Sequence, residues 1–190
     1  MATNKKFVFA LVLFALILSS GCSINANKYE SSVENIQQIR RSGDSKVDIS
    51  GFKVDPAKAA EINNKTFRGS SFSSPYESDY AKYLEESLKQ EFKQANRYDP
   101  NSNIKVSGIV LNNEFDASGM SVGLASITAV ISVTKGGTQK YKKEITAKNQ
   151  WESSFSGFSA LPAGQKGYVE LIQKFIAQLL ADQNFINAIK

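Results

Sequence analysis

The chain has 190 residues, 23 basic against 18 acidic side chains for a net charge of +5, one cysteine and no histidine. The lack of histidine excludes Ser-His-Asp and Cys-His catalysis and every metal site built on imidazole. The mild basic excess is scattered, so the clustered basic face of a nucleic-acid binder is absent and no nucleic-acid partner is expected.

The N-terminal stretch organises the rest. Lys5-Lys6 precede the apolar run Phe7 to Leu18, then come Ser19-Ser20-Gly21 and Cys22, the lone cysteine. This is the three-part layout of a secretory signal. The apolar run falls short of the roughly 20 residues that span a bilayer. A secreted chain with one cysteine has no disulfide partner within it. An ordinary signal cut near Gly21, an uncleaved N-terminal anchor and a chance cysteine are the plain alternatives.

The small residues before Cys22 resemble the lipobox of the bacterial lipoprotein signal, with Ser19 where that family prefers Leu. The resemblance implies a diacylglycerol on the Cys22 thiol, removal of residues 1–21, and acylation of the new amine. Several acyl chains, at ~0.8 kcal/mol per buried methylene, make a stable anchor. In Gram-negative lipoproteins of this kind a Ser at position 23 implies the outer membrane, here its periplasmic face. The expected organisation is a signal peptide over 1–21, a lipidated tether over 22–45, and one α+β domain over 46–190.

The polar stretch from Ser23 to Ser45 reads as a spacer, with Tyr29, Val33 and Ile36 at the spacing of a short amphipathic helix. Lys46–Val54 alternates with a phase shift at Gly51, which predicts a strand with a bulge. Asp55–Ile62 predicts a short Ala-rich helical turn. Thr66–Arg68 predicts a brief strand, and Arg68-Gly69-Ser70-Ser71 a plain loop. Ser74-Pro75-Tyr76-Glu77 reads as a capped helix start. Tyr80, Leu84, Leu88 and Phe92 continue it as a core-facing stripe over 75–96. On its charged side, Glu85 and Glu86 are expected in weak i,i+4 pairs rather than in catalysis.

Three strands are predicted next. The first covers 103–115, with a bulge at Gly108. The second covers 124–135, with Ala125, Ile127, Ala129, Ile131 and Val133 on one face. A hairpin at Gly136-Gly137 leads to the third, over 139–151, interrupted on its apolar side by Lys143 and Asn149. Tyr168, Leu171, Ile172, Phe175, Ile176, Leu179 and Leu180 form a helical stripe over 167–181. Asp182 can cap a last turn carrying Phe185, Ile186 and Ile189. The expected fold is an antiparallel sheet of about four strands, covered on one face by two helices.

The segment 151–162 is too aromatic for a simple connector. Phe158 and Leu161 are candidates for contact with a partner or with lipid, while Trp151 and Phe155 are expected to close the core. The loop 116–123 lacks the helix start and Lys-Ser/Thr pair of a phosphate cradle. The order of elements over 46–181 is similar to that of small outer-membrane accessory lipoproteins, of the lipopolysaccharide-assembly and ABC-transport auxiliary kinds. With no cofactor or metal expected, the sequence points to a non-enzymatic, lipid-anchored envelope protein with a structural, assembly or partner-binding role. A lipid- or glycolipid-binding accessory component of an envelope transport system is the alternative, and requires an apolar chamber between sheet and helices.

Overall fold

The computed structural model describes residues 23–190; Cys22 and the leader lie outside them. The chain order opens with β1 (Ser23–Asn25), α1 (Val33–Arg41), β2 (Asp48–Ile49), β3 (Lys53–Val54) and α2 (Ala59–Asn63). It continues with β4 (Lys65–Phe67), β5 (Ser70–Ser73) and α3 (Tyr80–Gln94). Three long strands follow, β6 (Ile104–Asp116), β7 (Val122–Lys135) and β8 (Thr138–Glu152), and then α4 (Gly157–Ala181) and α5 (Gln183–Ala188).

The three long strands form the expected antiparallel meander, and the class is α+β. Alternation dictates which side of β7 is covered: Ala125, Ile127, Ala129, Ile131 and Val133 are all buried beneath the helices. Gly136 and Gly137, at φ 56° and 79°, supply the left-handed pair that a two-residue hairpin needs. The apparent interruptions of β8 are resolved by α4 and its end. Asn149 donates to the Gly167 carbonyl at 2.7 Å and accepts from Lys174 at 2.6 Å, and Lys143 reaches Asp182 at 2.8 Å.

The sheet is not wholly antiparallel. β2 and β3 pair with β6 in parallel, because the connection from β3 to β6 crosses over through α2, β4, β5 and α3. Between β2 and β3 the ladder takes one extra residue, with Gly51 at φ 82°, as the phase shift predicted. In β6 the irregularity falls between Val110 and Asn112, not at Gly108. Gly108 serves a different end: a Cβ there would stand 2.5 Å from the Phe52 ring, so only glycine lets Phe52 lie on the strand.

Four other expectations are corrected. Residues 23–45 are not a tether. Tyr29, Ile36 and Ile39 are buried, and β1 pairs with β5 in a small sheet ordered β1-β5-β4. The polar side chains of this stretch bond to the helices beside it. Gln165 donates to the Asn25 carbonyl (2.7 Å), Gln173 to Glu30 (2.8 Å), and Gln38 to Leu180 (2.9 Å). Val33 faces solvent, since α1 starts there and buries Asn35, Ile36 and Ile39 instead.

Ser70-Ser71, expected in a loop, begin β5, and Arg68-Gly69 form its hairpin turn at φ 47° and 85°. Helix α3 starts at Tyr80 rather than 75. Glu77 and Ser78 sit in the left-handed region at φ 56° and 58°, and Asp79 caps the helix through Ala81 and Lys82 N–H at 2.7 and 3.2 Å. The final long helix begins ten residues early, at Gly157, and carries Pro162 inside it. Asp182 caps α5 as expected, and Phe185, Ile186 and Ile189 are buried.

Two packing features fix the layers. Tyr168 is fully buried among Tyr80, Tyr83, Phe72 and Phe115, with ring centroids 5.2–6.2 Å away. Its hydroxyl donates to Asn113 Oδ1 at 3.0 Å, which ties α4 to β6. Trp151 lies flat between two glycines. A Cβ on Gly123 would come within 2.3 Å of the indole, and one on Gly167 within 2.4 Å. At the opposite end Arg97, buried, donates to the carbonyls of Ile39 (3.1 Å), Ser45 (2.8 Å) and Ile189 (3.0 Å).

The indole contact yields a contrast. Gly167→Ala should cost roughly 1–3 kcal/mol through overpacking. Gly157→Ala, in the same helix with nothing within 4 Å of its Cβ position, should be neutral or stabilising. Urea midpoints of the two variants check this; equal midpoints would place the indole elsewhere.

Candidate functional site

The sequence candidates in 151–162 separate sharply. Trp151 closes the core as expected, while Phe155 does not and is 79% exposed. The reason is geometric. β8 ends at Glu152, and the chain turns away from the sheet before α4 begins, which leaves Phe155 on the outside of the turn. Phe158, in the first turn of α4, is 93% exposed. Leu161, one turn on, is half-buried against the core. Pro162 has no N–H for the Phe158 carbonyl four residues before it.

Across from this turn lies the loop between β6 and β7. Met120 is 69% exposed there, and Val122 and Leu124 are exposed just beyond it. Five of the six large apolar side chains exposed among the described residues fall in the segments 120–124 and 155–158. There Met120 and Phe155 line one recess and form an apolar tip, with Val122 and Leu124 beside it on the uncovered face of β7. Arg68 holds its two halves together. Its guanidinium donates to the Phe155 carbonyl at 2.8 Å and to Ser154, and reaches the carbonyls of Ala117 at 3.4 Å and Gly119 at 3.5 Å. Arg68, Ser118, Met120 and Phe155 line an open recess of about 330 Å³. Nothing in the local pattern around Arg68 pointed to this role; its one signal was the Arg-Gly pair, which marks a turn.

The two buried acidic side chains, Glu85 and Glu91, have structural partners. Glu85 Oε2 accepts the Phe52 N–H at 3.0 Å, and Oε1 pairs with Lys82 at 3.0 Å and Lys89 at 3.3 Å. Burial raises its carboxyl, but those donors together hold it below the usual range, so Glu85 stays charged and clamps the bulge at Gly51. Glu91 lies two turns on and behaves oppositely. Burial pushes its carboxyl above the usual range, although Tyr29, Ser32 and Asn35 all donate to it. Glu86 pairs with Lys89 at 2.8 Å on the solvated side. No group of three or more His, Cys, Asp or Glu among the described residues could hold a metal ion.

A second recess, about 790 Å³, is an open groove at the far end of the β7–β8 hairpin, lined by Lys135, Lys140, Lys142, Lys143 and Asn184. No helix among the described residues is long and apolar enough to cross a membrane.

No family model matches the sequence, and no curated protein matches it either. Solved structures do resemble it. Protein XCC0632 from Xanthomonas campestris, of family DUF330, superposes with a TM-score of 0.56 at 13% identity, over 84% of this chain and 94% of that one. A protein described as a lipoprotein from Caulobacter crescentus gives 0.43 at 12% identity, over 69% and 92%. A minor lipoprotein from Acinetobacter baumannii gives 0.37 at 18% identity, over 55% and 82%. The first of these shows a shared fold.

Two outcomes follow from the site. Phe158→Ser should shift stability by less than about 0.5 kcal/mol, the range for a free surface. Leu161→Ser should cost about 1 kcal/mol or more, because half of that side chain is packed; equal melting curves would contradict the packing. The Glu91 carboxyl favours its neutral form in the folded state. Its stabilisation is therefore complete below the usual carboxylate range and is lost as pH rises through its raised value. Glu91→Gln should flatten that loss, so the gap between variant and wild type in urea midpoint should grow in the variant's favour from about pH 5 to pH 8.

Proposed function

We propose that this chain is a bacterial lipoprotein of the cell envelope. Cys22 carries the acyl groups, residues 1–21 are removed, and the body sits at the periplasmic face of the outer membrane in a non-enzymatic assembly or partner-binding role. The observation that carries this reading is the pattern Lys5-Lys6, apolar run, Ser-Ser-Gly and lone Cys22, immediately before the first residue of β1. The non-enzymatic part is supported by Glu85, whose two oxygens are occupied by a backbone N–H and two lysines. It is supported also by Glu91, whose Oε1 takes three donors while its Oε2 is sealed from solvent.

The alternative of a lipid- or glycolipid-carrying component needs an apolar chamber between sheet and helices. That space is filled by Ile127, Ile131, Leu84, Leu88, Phe92, Tyr168 and Phe175, which supports the first reading. The envelope partner is expected to be a protein, captured by crosslinking in intact membranes.

Mass spectrometry of the mature protein tests the anchor. The expected N-terminal fragment begins at Cys22 with its acyl chains, and Cys22→Ala should leave an unprocessed chain. A free thiol at Cys22 on the mature protein would overturn the reading.

A further inference from the structure

We propose that the apolar tip is a second membrane attachment. In this view Met120, Phe155 and Phe158 enter the boundary between headgroups and acyl chains of the same leaflet that holds the lipid on Cys22. The inference rests on the acylation reading and adds an orientation and a contact surface to it.

Position is the first argument. Residues 25–38 run beside α4 in the same direction, with Asn25 bonded to Gln165, Glu30 to Gln173 and Gln38 to Leu180. Followed backward from Asn25, β1 therefore heads toward the N-terminal end of α4, where Phe158 is exposed. The small sheet gives the same answer. Ser23 is in register with Ser71, two residues after the Arg68-Gly69 turn. Arg68 is the residue that grips the Ser154 and Phe155 carbonyls. The attachment point and the tip thus share one end of the body, and no spacer stands between Cys22 and β1.

Chemistry is the second argument. The tip presents two aromatic rings and a methionine, and its neighbours in sequence are mostly small and polar (Ser118, Ser121, Ser153, Ser154, Ser156 and Ser159). The exposed Glu152, across from Val122, stands at its edge where the headgroups would be. Aromatic and apolar side chains with a polar surround suit the interfacial layer of a bilayer. The loops that carry them are held by Arg68, so little ordering remains to be done on contact. Asp116 lies nearby, but its carboxylate is folded back onto the Ser118 hydroxyl and N–H at 2.6 and 2.9 Å. A body held by acyl chains alone would be free to turn on its anchor. With the tip inserted, α4 points away from the membrane and the lysine groove at the β7–β8 hairpin faces the periplasm.

Site-specific fluorescence tests this on the acylated protein. An acylated Cys22 has no free thiol, so Ser159→Cys at the tip and Thr138→Cys at the distal hairpin each supply the one reactive group. Each variant is labelled with an environment-sensitive fluorophore and reconstituted into vesicles of phosphatidylethanolamine and phosphatidylglycerol. The expected result is a blue-shifted emission at residue 159, quenched by lipids spin-labelled near the headgroup, and an unshifted emission at residue 138. Changing Met120, Phe155 and Phe158 together to Ser should abolish the shift while the protein still floats with the vesicles. Floating protein with an unshifted probe at 159, or a shift at 138 instead, overturns the tip and leaves the anchor standing. Wild-type protein that takes up the label, or fails to float, overturns the acylation reading and the tip with it.

Discussion

The contact between Trp151 and the two glycines that face it sets the spacing of this molecule. An indole laid flat between β7 and α4 leaves no room for a side chain at Gly123 or Gly167. Helix α4 meets this aromatic layer with Gly164 and Gly167, and the space they leave is filled by Phe67, Phe115 and Trp151. With the helix axis fixed there, Tyr168 falls into the ring of Tyr80, Tyr83, Phe72 and Phe115. The small sheet, the helices and the large sheet then meet in one core. The same placement decides what stays outside: Leu161 is half covered, and Phe158, one turn earlier, projects past the last layer.

Much of this was legible in the sequence, because period itself carries the information. The alternation of β7, the glycine pair at 136–137 and the stripe from Tyr168 to Leu180 each have one geometric solution. The segment 23–45 was illegible for a physical reason. Asn35 and Gln38 are polar, and polarity reads as solvation, yet their amides bond to α3 and α4 and serve the fold as apolar side chains would. In β5, a strand of three serines and Phe72 has no pattern to read. Ser74-Pro75 has the composition of a helix cap but makes a local turn, with Ser74 Oγ accepting the Tyr76 N–H at 3.1 Å. At the tip, the exposure of Phe158 was anticipated from its surroundings. That of Phe155 was not, since the exit angle of β8 is a tertiary property.

Helix α3 shows how one element can hold two carboxylates in opposite states. Glu85 faces the Phe52 N–H and two lysines, which favour charge; Glu91 faces a phenol, an amide and one backbone N–H, which do not outweigh its burial. Each joins α3 to a piece of chain that its own periodicity would leave loose, the Gly51 bulge in one case and residues 29–35 in the other. Acidic residues here act as fasteners, and their ionisation follows from what they fasten.

Arg97 gathers carbonyls from Ile39, Ser45 and Ile189, residues that leave the ribosome at widely separated times. A buried guanidinium is tolerable only when these acceptors are all in place. Until Ile189 has been made, the end of α3 is better hydrated than packed, and the strip from Ser23 to Arg41 has only part of the surface it lies on. Closure over so many intervening residues is entropically slow. The first and last parts of the described chain are thus made to depend on each other: loosening either one strands the same guanidinium, so a fault at Ile189 is felt at Ile39 and Ser45.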